Sequence, residues 1–178
     1  MKNLRRLALV AGVATLSAVA FSPKAQAQTA NVDFTGQVPA TCTINSVTPG
    51  VLNYGGTTAL GADNSQGTRG LINVTCNAGT TFAIANIANN GTPAAIHNLV
   101  DGANAEVNDS FNGTTPARGS IAFTSNYTAT VPLNTPGALQ TGPITNKDYG
   151  VHLYVFRASG NLPVGNYRYR VSVVLAPQ

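Results

Sequence analysis

Gly165-Asn166-Tyr167-Arg168-Tyr169-Arg170-Val171-Ser172-Val173-Val174-Leu175-Ala176-Pro177-Gln178 closes the sequence and decides how the rest of it reads. Tyr167, Tyr169, Val171, Val173 and Leu175 fall two apart, with Arg168, Arg170 and Ser172 between them. Period-2 alternation in aromatic and β-branched residues predicts a strand with one buried face. No later stretch is available to cover it, so its edge, and the groove beside it, are expected to be completed by something else. Pro177 lacks a donor, so that pairing edge is expected to finish at or before Ala176.

The other end of the sequence carries a second alternating segment. Lys2, Arg5 and Arg6 form a charged head, residues 7–21 are apolar, and Ala25-Gln26-Ala27 is a small-x-small cleavage signal. This pattern reads as a secretory signal peptide over residues 1–27, too short and Ala-rich for a membrane span. In residues 28–38, Ala30, Val32, Phe34, Gly36 and Val38 then share one face, and Asn31, Asp33, Thr35 and Gln37 the other. Pro39 interrupts the pattern.

Removing the signal changes the charge balance. Four of the ten basic residues leave with it, while all six acids stay, so the mature net charge is 6 − 6 = 0. That gives little support to a nucleic-acid partner or an anionic membrane surface. No later apolar run is long enough to cross a bilayer. The remaining 178 − 27 = 151 residues suit one domain, and a chain of this size buries about two thirds of its unfolded surface. Charged residues are only 9% of the chain; such a surface suits a subunit that associates with its own copies. Cys42 and Cys76 are the only cysteines, and an even count in an exported chain predicts one disulfide.

Between the ends the chain reads as short strands separated by Gly, Pro and Asn. Strands are expected at 41–47, 51–54, 70–76, 81–87, 120–127 and 149–156, with polar loops at 57–68 and 133–146. Residues 89–116 are read as long loops with one or two short strands. No helical period persists over ten residues of the mature chain. The expected class is all-β, a sandwich or barrel.

Val32-x-Phe34-x-Gly36-x-Val38, followed closely by Cys42, resembles the amino-terminal segment of chaperone–usher pilins. Leu52-Asn53-Tyr54-Gly55 and Leu162-Pro163-Val164-Gly165-Asn166-Tyr167 are similar to elements of their archaic, spore coat protein U-like branch. Cys76, at the end of Gly70-Leu71-Ile72-Asn73-Val74-Thr75-Cys76, sits where the second-strand cysteine of that family pairs with the first strand. The resemblance covers both ends of the mature chain and is weak from about Asn77 to Lys147. It implies an incomplete immunoglobulin-like β-sandwich lacking its last strand (residues 41–178), preceded by a donor-strand extension (28–40). It also implies partners: a periplasmic chaperone that lends a strand, an outer-membrane usher, and copies of the chain or sister pilins. The implied product is an extracellular fibre assembled by donor-strand exchange and supporting adhesion or biofilm formation. Strand addition of this kind takes affinity from main-chain hydrogen bonds and specificity from alternate side chains in pockets.

Three other readings compete. Catalysis has a thin inventory: His97 and His152 are the only histidines, Glu106 is the only glutamate, and no Gly-x-Ser-x-Gly, His-Glu-x-x-His or phosphate loop is present; His152, in an alternating strand, is expected to face solvent. No enzyme activity and no cofactor are expected. Asp101, Asn104, Glu106, Asn108 and Asp109 gather oxygen ligands in a way that could serve calcium, although the spacing matches no EF-hand; two cysteines and two distant histidines do not make a zinc site. The third alternative is a self-complemented secreted or outer-layer protein of the same family, with residues 28–38 folded into their own groove, binding a ligand or surface without polymerising. A tip adhesin with a separate binding domain does not fit in 151 residues.

Overall fold

The computed structural model describes residues 31–63, 65–109 and 113–178. The expected signal peptide and the first donor residue, Ala30, lie outside them. The chain divides into two compact units, Met1–Gln37 and Val38–Gln178. The described residues of the first, 31–37, carry no regular secondary structure, and their side chains are exposed.

The second unit is all-β. Among the described residues it holds β1 (Cys42–Thr48), β2 (Asn53–Tyr54), β3 (Ala59–Ala62), β4 (Gly70–Cys76), β5 (Thr80–Asn89), a single helical turn α1 (Ala94–His97), β6 (Gly102–Asp109), β7 (Thr114–Ala122), β8 (Ile144–Phe156) and β9 (Tyr169–Pro177). All pairings are antiparallel. The long strand β8 is the spine of the larger sheet. Its first part pairs with β4 and its second with β3 on one side, while β6 pairs along the other and carries β7 outside it. β1 lies outside β4, and β5 and β9 form a separate two-stranded sheet.

Alternation puts one face of each strand into a shared core. Ile72, Val74 and Cys76 of β4 are buried, as are Ala103, Ala105 and Val107 of β6, and Tyr149, Leu153 and Val155 of β8. From the smaller sheet come Phe82, Ile84 and Ile87. A bulge between Ile84 and Asn86 is what returns Ile87 to the inward side. Phe82 and Tyr149 meet across the two sheets with ring centroids 4.5 Å apart.

The two sheets are joined along one side. Gly119 of β7 approaches β5 so closely that a Cβ there would lie 2.7 Å from the Cβ of Ile84. Residues 131–140 then run along the outer edge of β5. Asn134 and Gly137 donate backbone bonds to Ile84 and Phe82, and Gln140 exchanges bonds with Thr80. Ser120 of β7 donates to Val131 at the start of the same segment. That loop caps an edge that would otherwise present unpaired backbone groups.

Several expectations shift. Residues 57–68 are not wholly loop: Ala59–Ala62 form β3, with all four residues buried. The strand expected at 120–127 lies earlier, at Thr114–Ala122, and the one expected at 149–156 begins at Ile144. Residues 89–116 hold α1, all of β6 and the start of β7.

Cys42 and Cys76 form a disulfide, as expected. They are register partners of β1 and β4 with Cα atoms 4.1 Å apart. Asn77 N–H bonds Thr41 O next door. In an antiparallel ladder bonded and non-bonded pairs alternate, so Cys42 and Cys76 occupy the close, non-hydrogen-bonded position.

Candidate functional site

Opposite the capped side, β1 and β9 do not pair with each other, and a groove of about 570 Å³ lies between them. Ile44 and Val47 of β1 stand on one rim, and Tyr169, Val171 and Val173 of β9 on the other. The floor is apolar: Leu52, Ala62, Ile72, Val151 and Leu153, with Tyr167 at one end.

The backbone phase of each rim follows from the bonds that bracket it. Asn90 N–H donates to Arg168 O at one end of the β5·β9 ladder, and Gln178 N–H to Gly79 O at the other. Bonded pairs alternate, so the even-numbered residues of β9 face β5. The N–H and C=O groups of Tyr169, Val171, Val173 and Leu175 therefore point to the open side. Pro177 sits in the same odd phase, so its missing N–H costs the β5 ladder nothing. The ladder runs past it to Gln178, and the donors of the open edge end at Leu175. On β1 the Thr41–Asn77 bond sets the phase. Thr41 and Thr43 face β4, and the backbone groups of Cys42 and Ile44 face outward. A bulge between Ile44 and Ser46 then puts Val47 in the outward phase too. Among the described residues each rim of the groove is thus an unpaired strand edge above apolar side chains.

Four of the five residues expected on the groove edge, Tyr167, Tyr169, Val171 and Val173, line it. All five, Leu175 included, are only half-buried against the core; Leu175 lies opposite Phe82 in the β5 register, beyond the lining residues. The β1 rim, Ile44 and Val47, was not expected from the sequence. The bulge at Asn45 breaks the period-2 pattern that would have marked it. Four-residue β3, which supplies Ala62 to the floor, is Ala-Leu-Gly-Ala, and three of its four residues are small and carry no strand signal.

At the upper end of β9 the Tyr169 hydroxyl lies 2.9 Å from Nδ1 of His97, and Phe123 stacks on the Tyr169 ring. Burial pushes Tyr169 up to about 12 and holds His97 below its ordinary value. His152 is half-buried on the outer face of the larger sheet rather than solvent-facing. Its register partner is Glu106, and burial, more than the nearby Glu106, Arg69 and Asp63, sets its lowered pKa.

The oxygen-bearing residues weighed as calcium ligands do not converge. Asp101 is buried and accepts from Thr124 Oγ1 at 2.5 Å, Asn126 Nδ2 at 3.1 Å and the Ala158 N–H at 2.7 Å. The Thr124 bond leads in holding its carboxyl below the usual range. Glu106 pairs with Arg118 at the surface, and Asn104 accepts from the Tyr127 hydroxyl. Asp109 is buried and pairs with Lys147 Nζ at 2.6 Å. Burial, the largest single influence, works to lower the Lys147 pKa, but the bond to Asp109, its charge and the Tyr149 hydroxyl together outweigh it and raise the value. Among the described residues no three His, Cys, Asp or Glu side chains gather closely enough to hold a metal ion, and no helix is long and apolar enough to cross a membrane.

Compared with known proteins, the chain matches no protein-family model and no curated protein.

Proposed function

We propose that this chain is the structural subunit of an extracellular fibre, an immunoglobulin-like sandwich lacking its last strand that is completed by donor-strand exchange. One observation carries the reading: an apolar groove bounded on both sides by strand edges, β1 and β9, that are unpaired among the described residues. An added strand would bond Tyr169, Val171, Val173 and Leu175 through the main chain and place alternate side chains on the floor. Residues 32–38 have the required pattern, and Val32, Phe34 and Val38 are exposed. The occupant is this segment of a second copy or of a sister pilin, after a periplasmic chaperone has lent a strand and an outer-membrane usher has directed the exchange. Adhesion or biofilm formation would be the task of the fibre.

Cysteine cross-linking tests this. Phe34→Cys is combined in turn with Val171→Cys and Val173→Cys, and surface material is run on non-reducing gels. A ladder of linked subunits is expected from at least one pair. Links confined to single chains would favour the self-complemented protein, and no links at all would remove the extension from the groove.

A further inference from the structure

The choice between a neighbour's extension and the chain's own is not made by strand phase. The outward backbone groups of Cys42 and Ile44 put the tightest return into the groove at a three-residue loop, residues 39–41, with Val38 opposite Cys42. That register pairs Gly36 with Ile44 and turns Val38, Gly36, Phe34 and Val32 inward. Pro39 also suits the opening position of such a turn, because its φ is preset. The alternating face would therefore fit its own groove as well as another's.

Asn77 opposes this return. It brackets residues 39–41 with three bonds: its backbone N–H donates to Thr41 O at 3.1 Å, its Oδ1 accepts from Thr41 N–H at 2.7 Å, and its Nδ2 donates to Pro39 O at 2.9 Å. The side chain does what two more residues of β4 would do, extending the β1·β4 ladder past the disulfide. Pro39 and Thr41 keep the same phase as Thr43, all facing the β4 side. The three residues that the return loop requires are held extended, in line with β1.

We propose that Asn77 is a positioning residue that selects the groove's occupant: by holding residues 39–41 in line with β1 it disfavours self-complementation and commits the extension to a second copy of this chain. The proposal rests on the fibre reading above. Releasing the two side-chain bonds should move the partition between self-filled monomer and polymer by about tenfold to thirtyfold.

The test compares full-length, exported wild type with Asn77→Ala and Asn77→Asp, scoring monomer against polymer by size-exclusion chromatography with light scattering. Asn77→Ala is expected to accumulate a soluble monomer that melts cooperatively, and adding Phe34→Asp should abolish that melting. A purely structural role for Asn77 would lower the melting temperature of both forms and produce no Phe34-dependent monomer. Asn77→Asp keeps the Thr41 bond and loses the Pro39 bond, so an intermediate monomer share is expected. Asn77→Ala that polymerises like wild type, with assembly still abolished by Phe34→Asp, overturns the role of Asn77 alone. Wild type that is itself a Phe34-dependent monomer overturns the fibre reading, and the Asn77 proposal with it.

Discussion

Phe34→Asp is the perturbation with the largest expected effect on assembly. Val32, Phe34 and Val38 are 68%, 92% and 83% exposed, so nearly all the free energy of burying them is unrealised in the free chain. Full burial of one such side chain is worth about 1.5–3 kcal/mol. Scaled by those exposures, the three together gain about 4–7 kcal/mol on entering the groove. Phe34 supplies the largest share. Aspartate there forfeits that share and brings a carboxylate over a floor of Leu52, Ile72, Val151 and Leu153; the one cation in the lining, Arg168, belongs to the end of the groove beside Tyr167 and Tyr169 and not to that floor. Desolvating an unpaired carboxylate costs several kcal/mol more, unless the donor strand lifts out and gives up neighbouring contacts. A loss of at least about 3 kcal/mol follows, which is more than about a hundredfold in the exchange equilibrium. Gly36→Arg should act similarly by forcing a long side chain between the donor backbone and the floor. Asp33 and Thr35 lie on the opposite face, and changes there should be mild. The assay is fibre yield, by electron microscopy and by heat-resistant ladders on gels, with chaperone-bound subunit as the folding control. Normal fibres from Phe34→Asp would refute the assignment of this segment as the donor.

The fibre reading also predicts behaviour in isolation: with a periplasmic chaperone lending a strand as proposed, the subunit exported without one should aggregate through the open β1 and β9 edges, and equal yields of soluble monomer with and without it would favour self-complementation. Stability should fall as pH drops below about 6.5, because His97 and His152 both have pKa values lowered by burial, so the unfolded chain takes up protons that the fold resists; thermal melts across pH 5–8 read this. A second loss should begin as pH falls below about 3.8 and continue to the lowered folded value of Asp101, and Asp101→Ala should cost on the order of 3 kcal/mol at neutral pH by leaving Thr124, Asn126 and the Ala158 N–H without their acceptor. Lys147→Met should destabilise by about 1.5–3 kcal/mol, since it removes the charged donor that bonds the buried Asp109 carboxylate; urea unfolding measures it.

The parts of this fold that were legible in the sequence are those where one face of a strand is wholly buried. Ile72, Val74 and Cys76 alternate with Leu71, Asn73 and Thr75, and the burial of β4 follows that alternation. Residues 149–155 of β8 follow the same rule, while β9 was legible from its alternation although its inward residues are only half-buried. What could not be read has physical causes. The first residues of β8, Thr145 to Asp148, are polar, and they remain in the strand because β4 pairs with them as far as Ile144. Residues 134–140 look like a free loop, but their backbone bonds cap β5. Half of the groove was visible, namely the odd residues of β9. The other rim was hidden by a single extra residue at Asn45, which divides the apolar pattern between Ile44 and Val47.

That hidden rim depends on cross-links to a degree the rest of the fold does not. Six of the seven residues of β1 are exposed, and the seventh, Cys42, is only half-buried. The strand therefore gains little from hydrophobic burial while the groove is empty. It is held by its ladder to β4, by Asn45 Nδ2 bonded to Asn73 and Thr75, by the Asn77 bracket and by the disulfide. The disulfide closes a loop of 35 residues, counted inclusively, which the chain-entropy model makes worth about 3–4 kcal/mol. Breaking it should act locally first. β1 should fray from β4, and one of the two edges that a donor strand must join should lose its fixed position. The Cys42→Ser, Cys76→Ser double variant is thus expected to lose strand acceptance before the core built on Phe82, Tyr149 and Val155 unfolds. Amide hydrogen exchange on the subunit at low concentration, with no donor peptide added, separates the two events. Faster exchange is expected in β1 and residues 38–41, with protection of the central part of β8 retained. Uniform loss of protection across β1, β4 and β8 would show instead that the bond stabilises the whole fold and has no particular role at the groove.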